Sequence, residues 1–212
     1  MNENAAPRAK GCPVICIAGP MAAGKNAAAQ ILAARGWAVI DADTAAHQAV
    51  ELAKDRILAR FSAEAAARRI ALLDGSGRIN RRALGELVFS HAELLAAHEA
   101  IVHPVIHAML SDFIDEHAAQ PVALNATVLY KTAVMCRCSH ILFVTAPAAV
   151  RLLRARRRDR MPYPQIFDRF RRQKNILAQY QKTNADIYKV VNIGSIRSLE
   201  RKIDRFLTFC LS

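Results

Sequence analysis

The chain has 212 residues, of which 53% are hydrophobic and 23% charged, and a formal net charge of +12 at pH 7. That composition excludes a disordered chain, the length suits one α/β domain carrying an insertion or a small lid, and the basic excess suits a polyanionic partner. No apolar run approaches the ~20 residues that span a bilayer, and 1–10 is polar with no signal-peptide core, so the expectation is a cytoplasmic protein.

An apolar run over 13–18 reads as a short buried strand, and the alanine-rich stretch 26–35 favours a helix. Between them, Gly19-Pro20-Met21-Ala22-Ala23-Gly24-Lys25-Asn26 matches the phosphate-binding loop G-x-x-x-x-G-K-[ST] except at its last place, where Asn26 replaces the hydroxyl residue. A glycine turn from a buried strand into a helix aims successive backbone N–H groups at one spot. The helix dipole adds to them, and Lys25 brings a full charge to the outer phosphates. Met21, Ala22, Ala23, Gly24, Lys25, Asn26 and Ala27 are therefore the candidate triphosphate-binding residues.

Gly36 reads as a helix stop before a second strand over 37–40. Asp41-Ala42-Asp43 ends that strand at the carboxyl edge of the expected sheet, where open α/β sheets bind ligands. Phosphorylating a hydroxyl needs a carboxylate to orient it and accept its proton, which makes Asp43 the candidate base. Either aspartate also suits the cap of a helix starting near Thr44.

A helical stretch over 44–117 follows, broken by the turn Asp74-Gly75-Ser76-Gly77 and by Pro104. It is too long for a simple crossover and is expected to form a subdomain holding a second substrate. Apolar or β-branched runs at 121–124, 140–144 and 187–191, each followed by a helical pattern, predict a parallel sheet wrapped by helices. Arg151, Arg154, Arg156, Arg157, Arg158 and Arg160, then Arg169, Arg171 and Arg172, stand against only Asp159 and Asp168 between 151 and 172. This stripe reads as a solvated helix face or an RNA-binding patch, or else as a lid that clamps phosphates. Five cysteines without a C-x-x-C pair predict reduced structural thiols, with Cys16 in the core.

Several separated segments together resemble one family, dephospho-CoA kinase. They are the P-loop, then Val39 to His47 (V-I-D-A-D-T-A-A-H), Asp74-Gly75-Ser76-Gly77-Arg78-Ile79-Asn80-Arg81-Arg82-Ala83-Leu84, and Val88-Phe89. Glu99-Ala100-Ile101-Val102-His103-Pro104 continues the series, with Arg154, Arg158-Asp159 and Arg169-x-x-x-Gln173 at the family's lid spacing, and Ala185-Asp186-Ile187 to Val191-Asn192-x-Gly194 near the end. The resemblance implies an α/β fold: a P-loop NTPase core with a parallel five-stranded sheet flanked by helices, plus a helical CoA-binding subdomain and a helical lid. On this chain the core is 11–43, 119–148 and 184–212, the subdomain 44–118, and the Arg-rich lid 149–183. It also implies transfer of phosphate from ATP, with Mg²⁺, to the ribose 3′-hydroxyl of dephospho-CoA, without nucleic-acid or membrane partners, in a monomer or weak oligomer.

Site roles follow from the resemblance residue by residue. Met21 to Asn26 cradle the ATP phosphates and Lys25 bridges β and γ. Asp43 is the base, Arg154 and Arg158, with Arg160 nearby, close on the transferring phosphoryl, and Asn192-x-Gly194 lies against the adenine. His47, Arg81 and His103 fall in segments expected near dephospho-CoA. As alternatives, His103 before Pro104 starts a helix and Arg81 is an ordinary surface residue, while Leu84 and Phe89 read as core.

Three departures from the family stand out. Asn26 replaces the Mg²⁺-binding hydroxyl, and its amide oxygen is the candidate metal ligand. Pro20 to Ala23 replace glycines, so Cβ atoms restrict positive φ angles. Asn125-Ala126-Thr127-Val128-Leu129-Tyr130-Lys131 stands where many members have D-x-P-L-L-F-E, reversing a charge at Lys131. Three other functions compete. A catalytically weak nucleotide-binding protein has the joint presence of Lys25, Asp43 and the arginine lid to explain, and a kinase of a related small nucleotide is distinguished by competing acceptors. A nucleic-acid binder lacks interleaved aromatics for base stacking.

Overall fold

The computed structural model describes residues 12–159 and 162–211. The polar N-terminal stretch and Arg160 lie outside the described residues, as does the side chain of Arg158. Two compact units divide the chain: Met1–Ile40 with Phe113–Ser212, and Asp41–Asp112.

In chain order, β1 (Val14–Ala18) leads through the P-loop to α1 (Lys25–Ala33) and β2 (Ala38–Asp41). The helices α2 (Ala42–Leu52), α3 (Lys54–Ala67), α4 (Arg81–Val88) and α5 (Ala92–Glu116) follow. Then come β3 (Val122–Asn125), β4 (His140–Thr145), α6 (Ala148–Asp159), α7 (Tyr163–Arg172), α8 (Ile176–Tyr180), β5 (Asp186–Val191) and α9 (Ile196–Leu211). Five strands form one sheet in the order β2-β3-β1-β4-β5, with β1 parallel to β3 and β4, and β4 parallel to β5. The expected parallel five-stranded sheet flanked by helices is the observed one. One difference lies after β3, where two 3-10 turns, Leu129–Lys131 and Ala133–Arg137, replace the expected helix. Thr132 between them is extended, which keeps the turns from merging.

The central strand shows why its sequence is an unbroken apolar run. Ile15, Cys16, Ile17 and Ala18 have no exposed surface, because helices cover a parallel sheet on both faces. One core cluster joins Ile15 and Ile17 to Leu32, Trp37, Leu142, Ile203 and Phe206. Burying side chains of this size stabilises by about 1.5–3 kcal/mol each. The edge strand β5 is instead largely open, with Val190 its one buried residue and the charged Asp186 and Lys189 exposed, which discourages pairing with another chain.

Tyr180 ties α8 to the segment behind β3. Its fully buried hydroxyl accepts from the Leu129 N–H at 3.0 Å and donates to the Thr127 carbonyl at 3.3 Å. The Cys16 thiol reaches the same oxygen at 3.8 Å, and burial pushes that thiol up to about 12, so Cys16 stays protonated and inert at neutral pH. Tyr180→Phe should cost about 1–3 kcal/mol, since it strands the buried Leu129 N–H and Thr127 carbonyl. Urea unfolding midpoints measure this, and an unchanged midpoint would show that water replaces the hydroxyl.

In the second unit, the turn at 74–77 is held by Asp74, whose Oδ1 accepts from the Ser76 hydroxyl at 2.7 Å and the backbone N–H groups of Ser76 and Arg78. These bonds, the Ser76 hydroxyl first, hold its carboxyl below the usual range. Asn80 caps α4 by accepting from the Ala83 N–H. Ile57, Phe61, Leu84, Leu87 and Val102 form this unit's core. Leu84 is core as expected; Phe89 is not, being 72% exposed at the C-cap of α4 where its side chain leaves the buried face.

Pro104 does not break the helical stretch but lies inside the 25-residue α5, so His103 sits mid-helix rather than at a start. By length and composition α5 could cross a membrane, with a mean hydropathy of 1.2 over 18 residues, although no such run was expected from sequence. Here its Leu94 and Val102 belong to the second unit's core, and Leu110 and Ile114 are also buried.

Candidate phosphate-binding site

The loop from Gly19 to Asn26 takes its shape from two glycines that no other residue could replace in place. Gly19 has φ +144°, and a Cβ there would lie 1.9 Å from the Val144 carbonyl oxygen. Gly24, at φ +106°, is the N-cap of α1 and makes no side-chain cap bond. A Cβ on Gly24 would lie 2.1 Å from Asn192 Nδ2. The half-buried Lys25 follows, its Nζ donating to the Gly19 carbonyl at 3.1 Å. A left-handed N-cap thus opens α1 with its first N–H groups beside a lysine, a combination that attracts anions.

The restriction expected where alanines replace glycines is real at Ala22, which holds φ +59°. An L-residue in this region costs about 1–2 kcal/mol, whereas adding a glycine to the unfolded chain costs about 0.4–1 kcal/mol. Strain relief wins, so Ala22→Gly should stabilise the protein by roughly 0.5–1 kcal/mol. Thermal unfolding checks the sign; a lower Tm would mean that packing of the Ala22 methyl against the small core of Met21, Ala155 and Ile166 outweighs the strain.

Arg154 on α6 and Asn192 after β5 close over the loop. Asn192 is 8% exposed, donates through its backbone N–H to the Thr145 carbonyl at 2.7 Å, and donates through Nδ2 to the Ala23 carbonyl at 2.8 Å. The Arg154 guanidinium spans two carbonyls, Ala23 at 3.3 Å and Asn192 at 3.2 Å. Beside them lies a cavity of about 490 Å³ lined by Ala22, Gly24, Ala27, Arg154, Arg157, Asn192, Gly194, Ile196 and Leu199. Two arginines meet an apolar wall of Ala27, Ile196 and Leu199, which suits a ligand with a flat apolar part and an anionic part. The structure therefore brings together Ala22, Gly24, Ala27, Arg154, Asn192 and Gly194, six of the residues singled out from sequence. Arg157 was legible only as part of the arginine stripe, and Ile196 and Leu199 were missed, because they open α9 and read as ordinary helix-face residues.

Met21 stands apart from its neighbours. Its N–H donates to Gln173 Oε1 at 2.7 Å and its carbonyl accepts from Arg151 Nε at 2.9 Å, so both groups are spent on the lid. Arg151 lies with its guanidinium carbon 4.1 Å over the Phe170 ring, and burial pulls its pKa below the usual arginine value. Met21, Ala155 and Ile166 form a small core beneath these bonds. Gln173 appeared in the sequence only as a spacing; its grip on the loop did not.

Asn26 lies at the first turn of α1 with its Oδ1 accepting from Asn125 Nδ2 at 3.1 Å. Asn125 ends β3, in register with Ile17 of β1, and is 4% exposed. In the second unit, Asp41 is the helix cap, its Oδ1 accepting from the N–H groups of Asp43 and Thr44 at 2.9 and 3.1 Å. Asp43 is exposed in the first turn of α2, with His47 one turn on. Arg81 is exposed at the start of α4, and His103 is half-buried on α5.

A family model described as dephospho-CoA kinase matches residues 13–197. The chain is 38% identical over 200 residues to a dephospho-CoA kinase of Treponema pallidum, covering 93% of this chain and 95% of that one. It is 40% identical over 194 residues to one of Treponema denticola, covering 90% and 86%. Among solved structures, a Thermus thermophilus protein, TT1252, superposes with a TM-score of 0.78 at 30% identity, over 94% of this chain and 98% of that one. A shikimate kinase of Acinetobacter baumannii matches at 0.52 and 17% identity over 93% of each chain, a likeness of fold.

Proposed function

The chain belongs to the dephospho-CoA kinase family and is a kinase; from that premise we propose that it moves the γ-phosphoryl of ATP onto the ribose 3′-hydroxyl of dephospho-CoA, in the cytoplasm, as the final step of coenzyme A synthesis. The observation that supports ATP as donor is the loop geometry: a left-handed Gly24 opening α1, Lys25 beside it, and the cavity walled by Arg154, Arg157 and Ile196.

In this reading the adenine lies against Asn192 and Gly194, and the phosphates against 22–27. The 3′-oxygen attacks the γ-phosphorus as the bond to the β–γ bridging oxygen breaks, and ADP leaves. Asp43 takes the hydroxyl proton. Lys25 and Arg154 offset the charge that grows on the transferred group, the stabilisation that counts most in phosphoryl transfer. Arg158 has the same role in the proposal. His47, Arg81 and His103 contact dephospho-CoA.

The family implies Mg²⁺, and Asn26 at the last place of the loop would hold it through its amide oxygen, which accepts one hydrogen bond from Asn125 and keeps a second lone pair. No group of three or more His, Cys, Asp or Glu that would hold a metal occurs among the described residues, so the triphosphate would supply most of the other ligands. Bound there, the ion would offset charge on the phosphates, and no step is derived through it.

The test is a phosphoryl-transfer assay with ATP, Mg²⁺ and dephospho-CoA beside nucleoside monophosphates. Formation of coenzyme A is expected. Transfer only to a monophosphate would make this a kinase of another small nucleotide.

A further inference from the structure

Inside the loop lies a turn that its own sequence does not favour. The Ala23 N–H donates to the Pro20 carbonyl at 3.2 Å and closes a four-residue turn over 20–23. Of its two central residues only Ala22 has a positive φ, +59°. That is the type II arrangement, which asks for glycine at its third place and here finds alanine. Type I and type II turns differ by a flip of the central peptide, in this case the one joining Met21 to Ala22. With alanine in third place the unflipped turn is the less strained of the two.

Arg151 holds the flip. Its Nε donates at 2.9 Å to the Met21 carbonyl, which is the oxygen of that central peptide. A trans peptide is planar, with its N–H opposite its C=O, so fixing the carbonyl on Arg151 turns the Ala22 N–H the other way. Ala22 lines the cavity together with Gly24, Arg154 and Arg157. The preceding peptide is pinned as well, because the Met21 N–H donates to Gln173 Oε1 at 2.7 Å.

Packing a lid against a loop does not call for an arginine. The Arg151 guanidinium lies over Phe170, burial lowers its pKa, and its Nη2 is buried without a hydrogen-bond partner among the described residues. An apolar side chain would cover the same ring without stranding a donor. What the arginine adds is a directed bond to the Met21 oxygen.

We propose that Arg151 is a positioning residue for the triphosphate: it holds the 21–22 peptide in its flipped orientation and so presents the Ala22 N–H to the phosphates, without touching them itself. The inference rests on the reading of the loop as an ATP site. It divides the arginine stripe, since Arg151 shapes the loop while Arg154 meets the charge of the transferring group.

Calorimetric titration with ATP of the full chain carrying Arg151→Met tests it, because methionine keeps an unbranched stem over Phe170 and removes the donor. Kd should rise at least about tenfold, on the order of one lost hydrogen bond to a charged group. Adding Ala22→Gly should return Kd to within about threefold of the unaltered protein, because glycine takes the flipped turn unaided. Ala22→Gly alone should change Kd by less than about threefold, so that the rescue is non-additive. An arginine that only packs the lid would show no such dependence on residue 22. An unchanged Kd in Arg151→Met, or a loss that Ala22→Gly leaves in place, overturns the proposal. Amide hydrogen exchange in the unaltered protein gives a reading even if that variant does not fold. Saturating ATP should slow exchange of the Ala22 N–H at least about tenfold, and equal exchange with and without ATP refutes the idea. No ATP binding by the unaltered protein would instead defeat the kinase reading, and this inference with it.

Discussion

Asp43→Asn is expected to lower kcat by at least ~100-fold, the usual contribution of a general base, while the Kd for ATP and the fold stay near their original values. The aspartate that ends β2 and the one in the first turn of α2 divide the work. Asp41 spends its carboxylate on the N–H groups of Asp43 and Thr44 and so holds the start of α2. Asp43 is exposed in that first turn and does not cap the helix. An amide at 43 keeps the shape, and the charge it removes from the helix N-terminus is worth only about 0.3–1 kcal/mol of stability. A hundredfold loss in rate is about 2.7 kcal/mol in the barrier, well beyond that. Steady-state kinetics with dephospho-CoA, alongside thermal unfolding, separates the two effects. Unaltered turnover would remove Asp43 from the role of base.

Much of this molecule is legible in sequence because its local rules agree. Short apolar strands bounded by glycine or aspartate predict the sheet, and β1 reads as buried because every one of its residues after Val14 is apolar or small. The loop is legible because Gly19 and Gly24 sit where backbone geometry forbids a side chain. What failed was local too. Proline argues for a break at 104, yet α5 continues through it, and the apolar run after β3 settles into 3-10 turns. The contacts that define the site were less accessible, since they join distant segments. Gln173 reaches the Met21 N–H across 152 residues, and Asn125 reaches Asn26 across 99. Neither pairing leaves a periodic trace. Asn26 read alone looks like a ligand for Mg²⁺; the structure adds that its oxygen also accepts a hydrogen bond from Asn125.

Arg154→Ala should reduce kcat by roughly 10²–10³, as loss of one group that stabilises growing charge usually does, with a much smaller change in KM for ATP. The reason lies in the contacts that Arg154 already has. Its two terminal nitrogens donate to the Ala23 and Asn192 carbonyls at 3.3 and 3.2 Å. To bind a ground-state phosphate, the guanidinium exchanges bonds it already makes, so the net gain is small. As the phosphoryl group leaves the bridging oxygen, charge shifts onto the oxygens within its reach, and the attraction to a fixed cation in a partly water-excluded site rises. The gain is thus concentrated in the transition state, and its removal appears in kcat. Arg154→Lys distinguishes charge from shape. Lysine keeps the cation but cannot span two carbonyls with a planar fork, so partial recovery of kcat is expected, with the contact between α6 and the loop loosened. If Arg154→Ala raised KM and left kcat intact, Arg154 would serve only to bind the ground-state triphosphate, and the charge opposing the transferring phosphoryl would have to come from Lys25 and the remaining arginines of the lid.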